Sequence, residues 1–414
     1  MIQPELRFYQ INGEQFPEYE QVSLGELYTE RNEKGNSSLP ILTISIHSGV
    51  SDGEADEDEL GKRVSRSDDK SLYKRVYEGD LAFNMMRAWQ GAIGVVKSEG
   101  MISPAYIAAI PNEKVYPPYM NYLMRTEKMI HMIDRQSYGL TDFRKRLYWN
   151  SFVGIKCFIP CVEEQKKVAC FFGELDDRIE NQKGIIAELR KQRSEIIHRI
   201  FSQEIKFKDK TGEYYPEWQD ISFNEVFVLL NNNTYSRACM NNNRGTRNIH
   251  YGDVLVKYGD IVDLDYTEVP FVNPEEKIDR YNKLISGDVV FADTAEDTTV
   301  GKATEILNTN GLDVISGLHT IPARPQMGFA RGYLGYYCNS DRFHNQLIPY
   351  MQGIKVTSIS RSNITKTRIA VPVIEEQTRI VEFISLLDEQ TQNEEMTLSE
   401  LEKLRKGFLQ KMFV

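Results

Sequence analysis

Residues 4–28, PELRFYQINGEQFPEYEQVSLGELY, align without a gap on residues 203–227, QEIKFKDKTGEYYPEWQDISFNEVF. Glu5, Phe8, Gly13, Glu14, Pro17, Glu18 and Glu26 meet Glu204, Phe207, Gly212, Glu213, Pro216, Glu217 and Glu225 at a constant spacing of 199 residues. Self-similarity of this kind marks a duplicated structural unit. A second pair of segments, IPCVEEQKKVACFFGELDDRI from Ile159 and VPVIEEQTRIVEFISLLDEQT from Val371, recurs at 212, which assigns a net thirteen extra residues to the second half. Between these anchors EGDLAFN and SGDVVFA match more weakly, so each repeat varies in its middle and is similar at its ends.

The middles mix short β-branched and aromatic runs, such as LPILTISI and DVLVKYGDIVDL, with Gly, Asn and Asp turn signals and a few helical patches. They read as mixed α/β domains. Each half then closes with about forty residues of helical period. The helices start after Pro160 and Pro372 with Glu163, Glu164 and Glu375, Glu376 in the first turn, where carboxylates suit the exposed N–H groups and the positive end of the macrodipole.

Alternate steps of four and three residues from Val168 give eight apolar side chains in ten, and the same steps from Ile380 give seven in ten. A seam of this period predicts a coiled coil. An antiparallel pairing of the two helices sets Gln182 opposite Arg405 and Arg193 opposite Glu394, with Leu189 against Leu398 and Ile186 against Leu401. Polar seam residues select register, because a slip leaves a charge against hydrocarbon. The expected architecture is α+β: two mixed α/β domains in pseudo-twofold tandem, 1–158 and 202–371, separated by long helices over 159–201 and 372–414 that form an antiparallel coiled coil.

The 414 residues carry 50 Lys and Arg against 60 Asp and Glu, a net charge of −10. That excludes a uniformly basic nucleic-acid coat, although local basic faces remain open. No run of about 18 apolar residues and no secretory leader is present, which predicts a cytoplasmic chain. Five scattered cysteines, Cys157, Cys161, Cys170, Cys239 and Cys338, do not suggest a disulfide framework or a zinc site.

Catalytic motifs are missing from the sequence. It has no G-x-x-x-x-G-K-[ST], no G-x-G-x-x-G after a strand, no H-E-x-x-H and no G-x-S-x-G. The [DNS]-P-P-[YFW] tetrapeptide of amino-methyltransferases is absent too, since Tyr116 precedes Pro117-Pro118. Asp288, Glu296, Asp297 and Lys302 could imitate a nuclease cluster, but the turn formers around them favour solvated loops. A non-catalytic protein without a metal is the expectation. A self-contained nuclease or methyltransferase and a coiled-coil adaptor that binds no DNA are the alternatives.

The paired openings, the paired P-x-x-E-E-Q helix starts with their LDDRI and LDEQT continuations, and the closing IIHRIF and FLQKMF together resemble the specificity subunit of Type I restriction-modification systems. The resemblance spans essentially the whole chain. It implies that the two α/β domains are target recognition domains, each reading one half of a split double-stranded DNA sequence. The helices would set the gap and dock two modification (methyltransferase) subunits. S-adenosylmethionine, ATP and Mg, with restriction (translocase and nuclease) subunits, would belong to the rest of the complex, and this chain would carry no cofactor.

Candidate DNA contacts follow from side-chain chemistry. Lys62, Arg63, Arg66, Lys70, Lys74 and Arg75 form a basic run; Asn84, Arg87 and Gln90 lie in NMMRAWQG; Arg144, Lys145 and Arg146 lie in GLTDFRKR. In the second half, Asn241, Asn242, Asn243, Arg244 and Arg247 concentrate amides and guanidiniums that match adenine and guanine edges. Arg361, Ser362, Asn363 and Lys366 precede the second long helix, as Arg144 to Arg146 precede the first, and suit phosphates.

Overall fold

A computed structural model of the chain describes residues 3–36, 38–54, 72–139, 144–241, 245–273, 276–353 and 356–414. It divides into two compact units, residues 1–183 with 396–414 and residues 184–395.

In the first unit, strands Tyr28–Arg31, Tyr106–Pro111, Leu81–Asn84 and Ile93–Val95 form an antiparallel sheet in that order. Beside it, Glu20–Ser23 pairs with Lys156–Ile159, the strand that leads into the first long helix. In the second unit, Gln219–Ser222 pairs with Arg368–Val371 in the same way. Its main sheet runs Phe227–Leu229, Thr320–Pro325, Val289–Ala292, Ala303–Leu307, Ile261–Asp263. The first four strands repeat those of the first unit in order and register: Tyr28 opposite Pro111 has its counterpart in Phe227 opposite Pro325, and Leu81 opposite Ala109 in Val289 opposite Ala323. The fifth strand, Ile261–Asp263, parallel to Ala303–Leu307, extends the second sheet alone. The central strands LAFN and VVFA are buried at every position, which explains why their apolar residues run together rather than alternate, with Asn84 the one polar member.

Short capping motifs repeat as well. In each unit a serine is followed three residues later by a glutamate whose carboxylate accepts the serine main-chain N–H: Ser23 to Glu26 at 2.6 Å and Ser222 to Glu225 at 3.1 Å. These hydrogen bonds hold both carboxyl groups below the usual range.

The long helices run Val162–Phe201 and Ile374–Met412. At ~1.5 Å per residue each is ~60 Å long. Their first turns are clamped to the domains by buried side chains. The Gln165 amide accepts the Tyr116 N–H at 2.8 Å and donates to the carbonyls of Lys114 and Pro160, both at 2.9 Å. Gln377 repeats this, accepting from the Ala330 N–H at 2.9 Å and donating to the Pro372 carbonyl at 2.8 Å. The neighbouring Glu164 is fully buried and bound by Arg7 at 2.6 and 3.1 Å, while Glu376 accepts from the Trp218 indole at 2.9 Å. The far ends also enter cores: Met412 and Phe413 pack with Tyr119 and Phe172 in the first unit, Ile200 and Phe201 with Tyr333 and Tyr337 in the second.

Within each unit the helix segments run antiparallel. In the second, Arg193 binds Asp388 while Arg190 binds Glu395 at 2.6 Å. The first has Arg405 bound to Asp176 at 2.5 Å and Phe171 packed edge-on against Phe408. The ion pairs reach beyond the seam positions considered from sequence: Arg193 binds Asp388, and Arg405 binds Asp176. The reason is reach and placement. Asp176 and Asp388 stand one position beyond the seam leucines Leu175 and Leu387, and each is fixed by a tyrosine hydroxyl, Tyr122 at 2.9 Å and Tyr336 at 2.7 Å. A flexible guanidinium stem crosses to a carboxylate already held in place.

The second unit links sheet to helix with a buried carboxylate. Glu305 accepts the N–H groups of Gly332 at 2.8 Å and Gly335 at 2.9 Å. Gly332 has φ +93°, a conformation that only glycine adopts without strain, and it aims that N–H at the carboxylate. Burial raises the Glu305 pKa to about 7, against the lowering effect of the hydrogen bonds.

Candidate nucleic-acid interface

In the first unit two of the anticipated segments converge. The turn Met85–Gln90 and the stretch Arg144–Tyr148 lie side by side, joined by the Leu147 N–H to the Met85 carbonyl at 2.9 Å. The Lys145 ammonium sits 5.6 Å from the centre of the Trp89 ring and binds Asp134 at 2.8 Å. Arg87, Gln90, Arg144 and Arg146 are exposed around it. Asn84 is buried and its side chain accepts the Met86 N–H at 3.0 Å, so it shapes the turn rather than facing outward. Sequence reasoning missed the aromatics of this surface: Trp89, and Tyr138 and Tyr148, whose exposed rings pack 5.1 Å apart. The available signals were Trp89 within NMMRAWQG and Tyr148 directly after the basic run in RKRLYW. Cations on such a surface suit phosphate oxygens.

The basic run divides. Lys62, Arg63, Arg66 and Lys70 lie outside the described residues, as do Asn242, Asn243 and Arg244. Lys74 is partly buried in the strand Lys74–Val76. Arg75 is committed within the fold: its guanidinium binds Glu99, with Nε at 2.8 Å, reaches Glu33 at 3.3 Å and covers the Tyr77 ring. It carries little free charge toward a ligand.

In the second unit a four-stranded sheet, ordered Met240–Asn241, Phe271–Val272, Arg247–Ile249, Val314–Ser316, carries Asn241 and Arg247. Asn241 donates to the Asn273 carboxamide at 3.0 Å, and the Arg247 guanidinium lies over Phe271 at 5.3 Å. Arg247 lines a cavity of about 740 Å³ with Arg237, Lys257 and the highly exposed Tyr266. Arg237 is anchored to Asp253 by two hydrogen bonds of 2.7 and 2.9 Å. Arg361 lies elsewhere, donating to the Asn232 carboxamide at 2.8 Å, and burial lowers its pKa. Asn363 accepts from Lys366 at 2.9 Å and Ser362 meets Ser360 at 3.0 Å, so this short helix satisfies much of its own polarity. Asn233 is buried, with its amide on Asn248 and the Ser316 carbonyl.

The acidic lookalike dissolves into structural roles. Asp288 is bound by Arg324 at 2.8 and 2.9 Å, Asp297 accepts the Thr299 N–H at 2.9 Å, and Lys302 donates to the Leu255 carbonyl at 2.8 Å. Among the described residues no three His, Cys, Asp or Glu side chains are grouped to hold a metal ion. Nor, among them, is any helix long and apolar enough to cross a membrane.

Comparison with known proteins places this geometry in context. Residues 215–403 match the family model of the Type I restriction modification DNA specificity domain. The chain is 21% identical over 326 residues to the Type I restriction enzyme MjaVIII specificity subunit of Methanocaldococcus jannaschii, covering 75% of this chain and 73% of that one. Its fold is similar, with a TM-score of 0.60 and 18% identity over 96% of this chain and 98% of the other, to a chain solved in a study of complex assembly and conformational transition of the type I R-M system. The crystal structure of the Type I restriction-modification S subunit from M. genitalium aligns with a TM-score of 0.50 and 12% identity over 100% and 99% of the two chains. The family that the paired motifs resemble is thus the one whose model residues 215–403 match, the Type I restriction modification DNA specificity domain.

Proposed function

We propose that this chain is the DNA sequence-recognition subunit of a Type I restriction-modification complex, reading a bipartite duplex target with one α/β domain per half-site. The observation that carries this reading is the contrast between repeat and variation. Both units keep the same strand register and the same glutamine clamp, yet the basic and aromatic surfaces differ: the Met85–Gln90 and Arg144–Tyr148 surface in the first, the Arg237, Arg247 and Tyr266 surface in the second. Equal frames with unequal reading surfaces suit two different half-sequences at a fixed separation.

The chain itself is non-catalytic in this reading. Its helices dock two modification subunits, which bring S-adenosylmethionine, and restriction subunits add ATP and Mg chemistry. Domains over 1–158 and 202–371, with spacer helices over 159–201 and 372–414, are the working boundaries. Co-expression with a modification subunit, followed by methylome sequencing, tests the proposal. A methylated motif of two short half-sequences around a fixed gap is expected; a contiguous motif, or methylation by the chain without a partner, would overturn it.

A further inference from the structure

The two Tyr–Asp–Arg groups, each with its Asp and Arg on the long helices and its Tyr on a short domain helix, are built alike, but their surroundings carry opposite charge. In the second unit Arg193 binds a second carboxylate, Asp260, at 2.5 Å, and Asn339 donates to the same carboxylate at 2.8 Å. Asp260 thus sits where the side chains at two repeat positions converge. In the first unit those positions hold Arg405, 212 residues after Arg193, and Arg125, which follows Tyr122 as Asn339 follows Tyr336. Arg125 donates instead to the main-chain carbonyl of His47, in the turn of residues 46–48.

The result is two guanidiniums around one fixed carboxylate, Asp176, in place of one guanidinium between two. A cavity of about 890 Å³ opens at this point, lined by Arg125, Arg405, Asp176 and the apolar side chains of Ile179, Leu409 and Phe413. Its rim is nearly balanced, since Lys183 binds Glu180 at 2.7 Å and Lys406 approaches Glu127 at 3.8 Å. Lys128 and Glu402 also line it, one charge of each sign. Burial and the charge of Arg405 both work against the Arg125 cation, so an added anion there relieves an existing cost.

We propose that this cavity is a receptor for an acidic side chain of a protein partner, held between Arg125 and Arg405 as Asp260 is held between Asn339 and Arg193. The chain's own second unit supplies the template: an aspartate followed directly by an aliphatic residue, Asp260-Ile261, at the start of an extended strand. An acid with an apolar neighbour matches the guanidinium floor and the Ile179, Leu409 and Phe413 walls. A bidentate, charge-assisted contact gives such a site its selectivity for carboxylate. The inference stands apart from DNA reading and would hold for any partner of that chemistry.

The test uses the full chain and a fluorescently labelled peptide, KYGDIVDLD, copied from residues 257–265. Anisotropy is expected to show saturable binding that falls at least tenfold with the peptide carrying Asn at the Asp260 position. The same loss is expected for the protein variant Arg125→Asn, which installs the amide the second unit uses and so preserves folding. Equal binding by the Asn peptide, or by R125N, would overturn the proposal. Displacement of the peptide by a duplex oligonucleotide would also overturn it, by assigning the site to phosphate.

Discussion

Arg193 and Arg405 occupy the same position in the two repeats, yet their removal should cost different amounts. Replacing Arg193 by Met keeps an apolar stem near the Tyr336 ring but leaves Asp260 and Asp388 facing each other. The Arg193 and Asp260 side chains are 25% and 17% exposed. Breaking a fully buried pair costs about 3–5 kcal/mol, and partial exposure reduces that to roughly 2–3 kcal/mol. Arg405→Met strands one carboxylate, Asp176, which is 36% exposed and still receives the Tyr122 hydroxyl; it also removes the repulsion on Arg125. About 1 kcal/mol or less is expected there. For units of this size the difference corresponds to a melting temperature lower by several degrees, on the order of 2–4 °C per kcal/mol, in R193M than in R405M. Thermal denaturation followed by circular dichroism measures the shift, and hydrogen exchange locates the loss in residues 184–395. Equal destabilisation by the two variants would refute the account of the unequal carboxylate environments.

Three further outcomes follow from the geometry. Gln165→Leu abolishes three hydrogen bonds, one buried and two part-buried, so urea denaturation should show a loss of about 2 kcal/mol, above that of a surface change. Glu305 has its folded pKa raised from 4.5 to about 7; its protonated form is therefore favoured in the fold, and its contribution is present below pH 4.5 and lost as pH rises to 7, on the order of 3 kcal/mol, a slope that Glu305→Gln should flatten in pH-dependent denaturation. In the assembled methyltransferase, Arg87→Ala and Arg247→Ala should each weaken or relax one half of the methylated motif and leave the other half unchanged; loss of both halves together by either variant would argue against one domain per half-site.

Much of the frame was legible because it is written twice. The spacings of 199 and 212 residues anticipated a duplicated unit and the two long helices, and the pairing of Glu20–Ser23 with Lys156–Ile159 recurs at those spacings as Gln219–Ser222 with Arg368–Val371. The E-E-Q motif was legible as a helix start but not as a clamp: Tyr116, Lys114 and Arg7, which tie Gln165 and Glu164 to the domain, lie 49 to 157 residues away, and helix electrostatics alone cannot distinguish an exposed acid from a buried tie. The seam argument was incomplete at the arginines for a related reason. It considered only seam positions, whereas the carboxylates flank the seam; the recurrence of Asp176 and Arg193 at 388 and 405, both at 212, was the overlooked signal. Among the DNA candidates, a count of basic residues treated Arg75 and Arg87 alike. Folding brings Glu99 and Glu33 to the first and leaves the second exposed.

The glutamine clamp also has a mechanical meaning. The Gln165 amide ties the first turn of its helix to Tyr116 and Lys114 of the domain that precedes it, so three hydrogen bonds at one side chain set the direction in which the helix leaves that domain. Loosening that one side chain changes the exit angle before any contact further along the helix is touched.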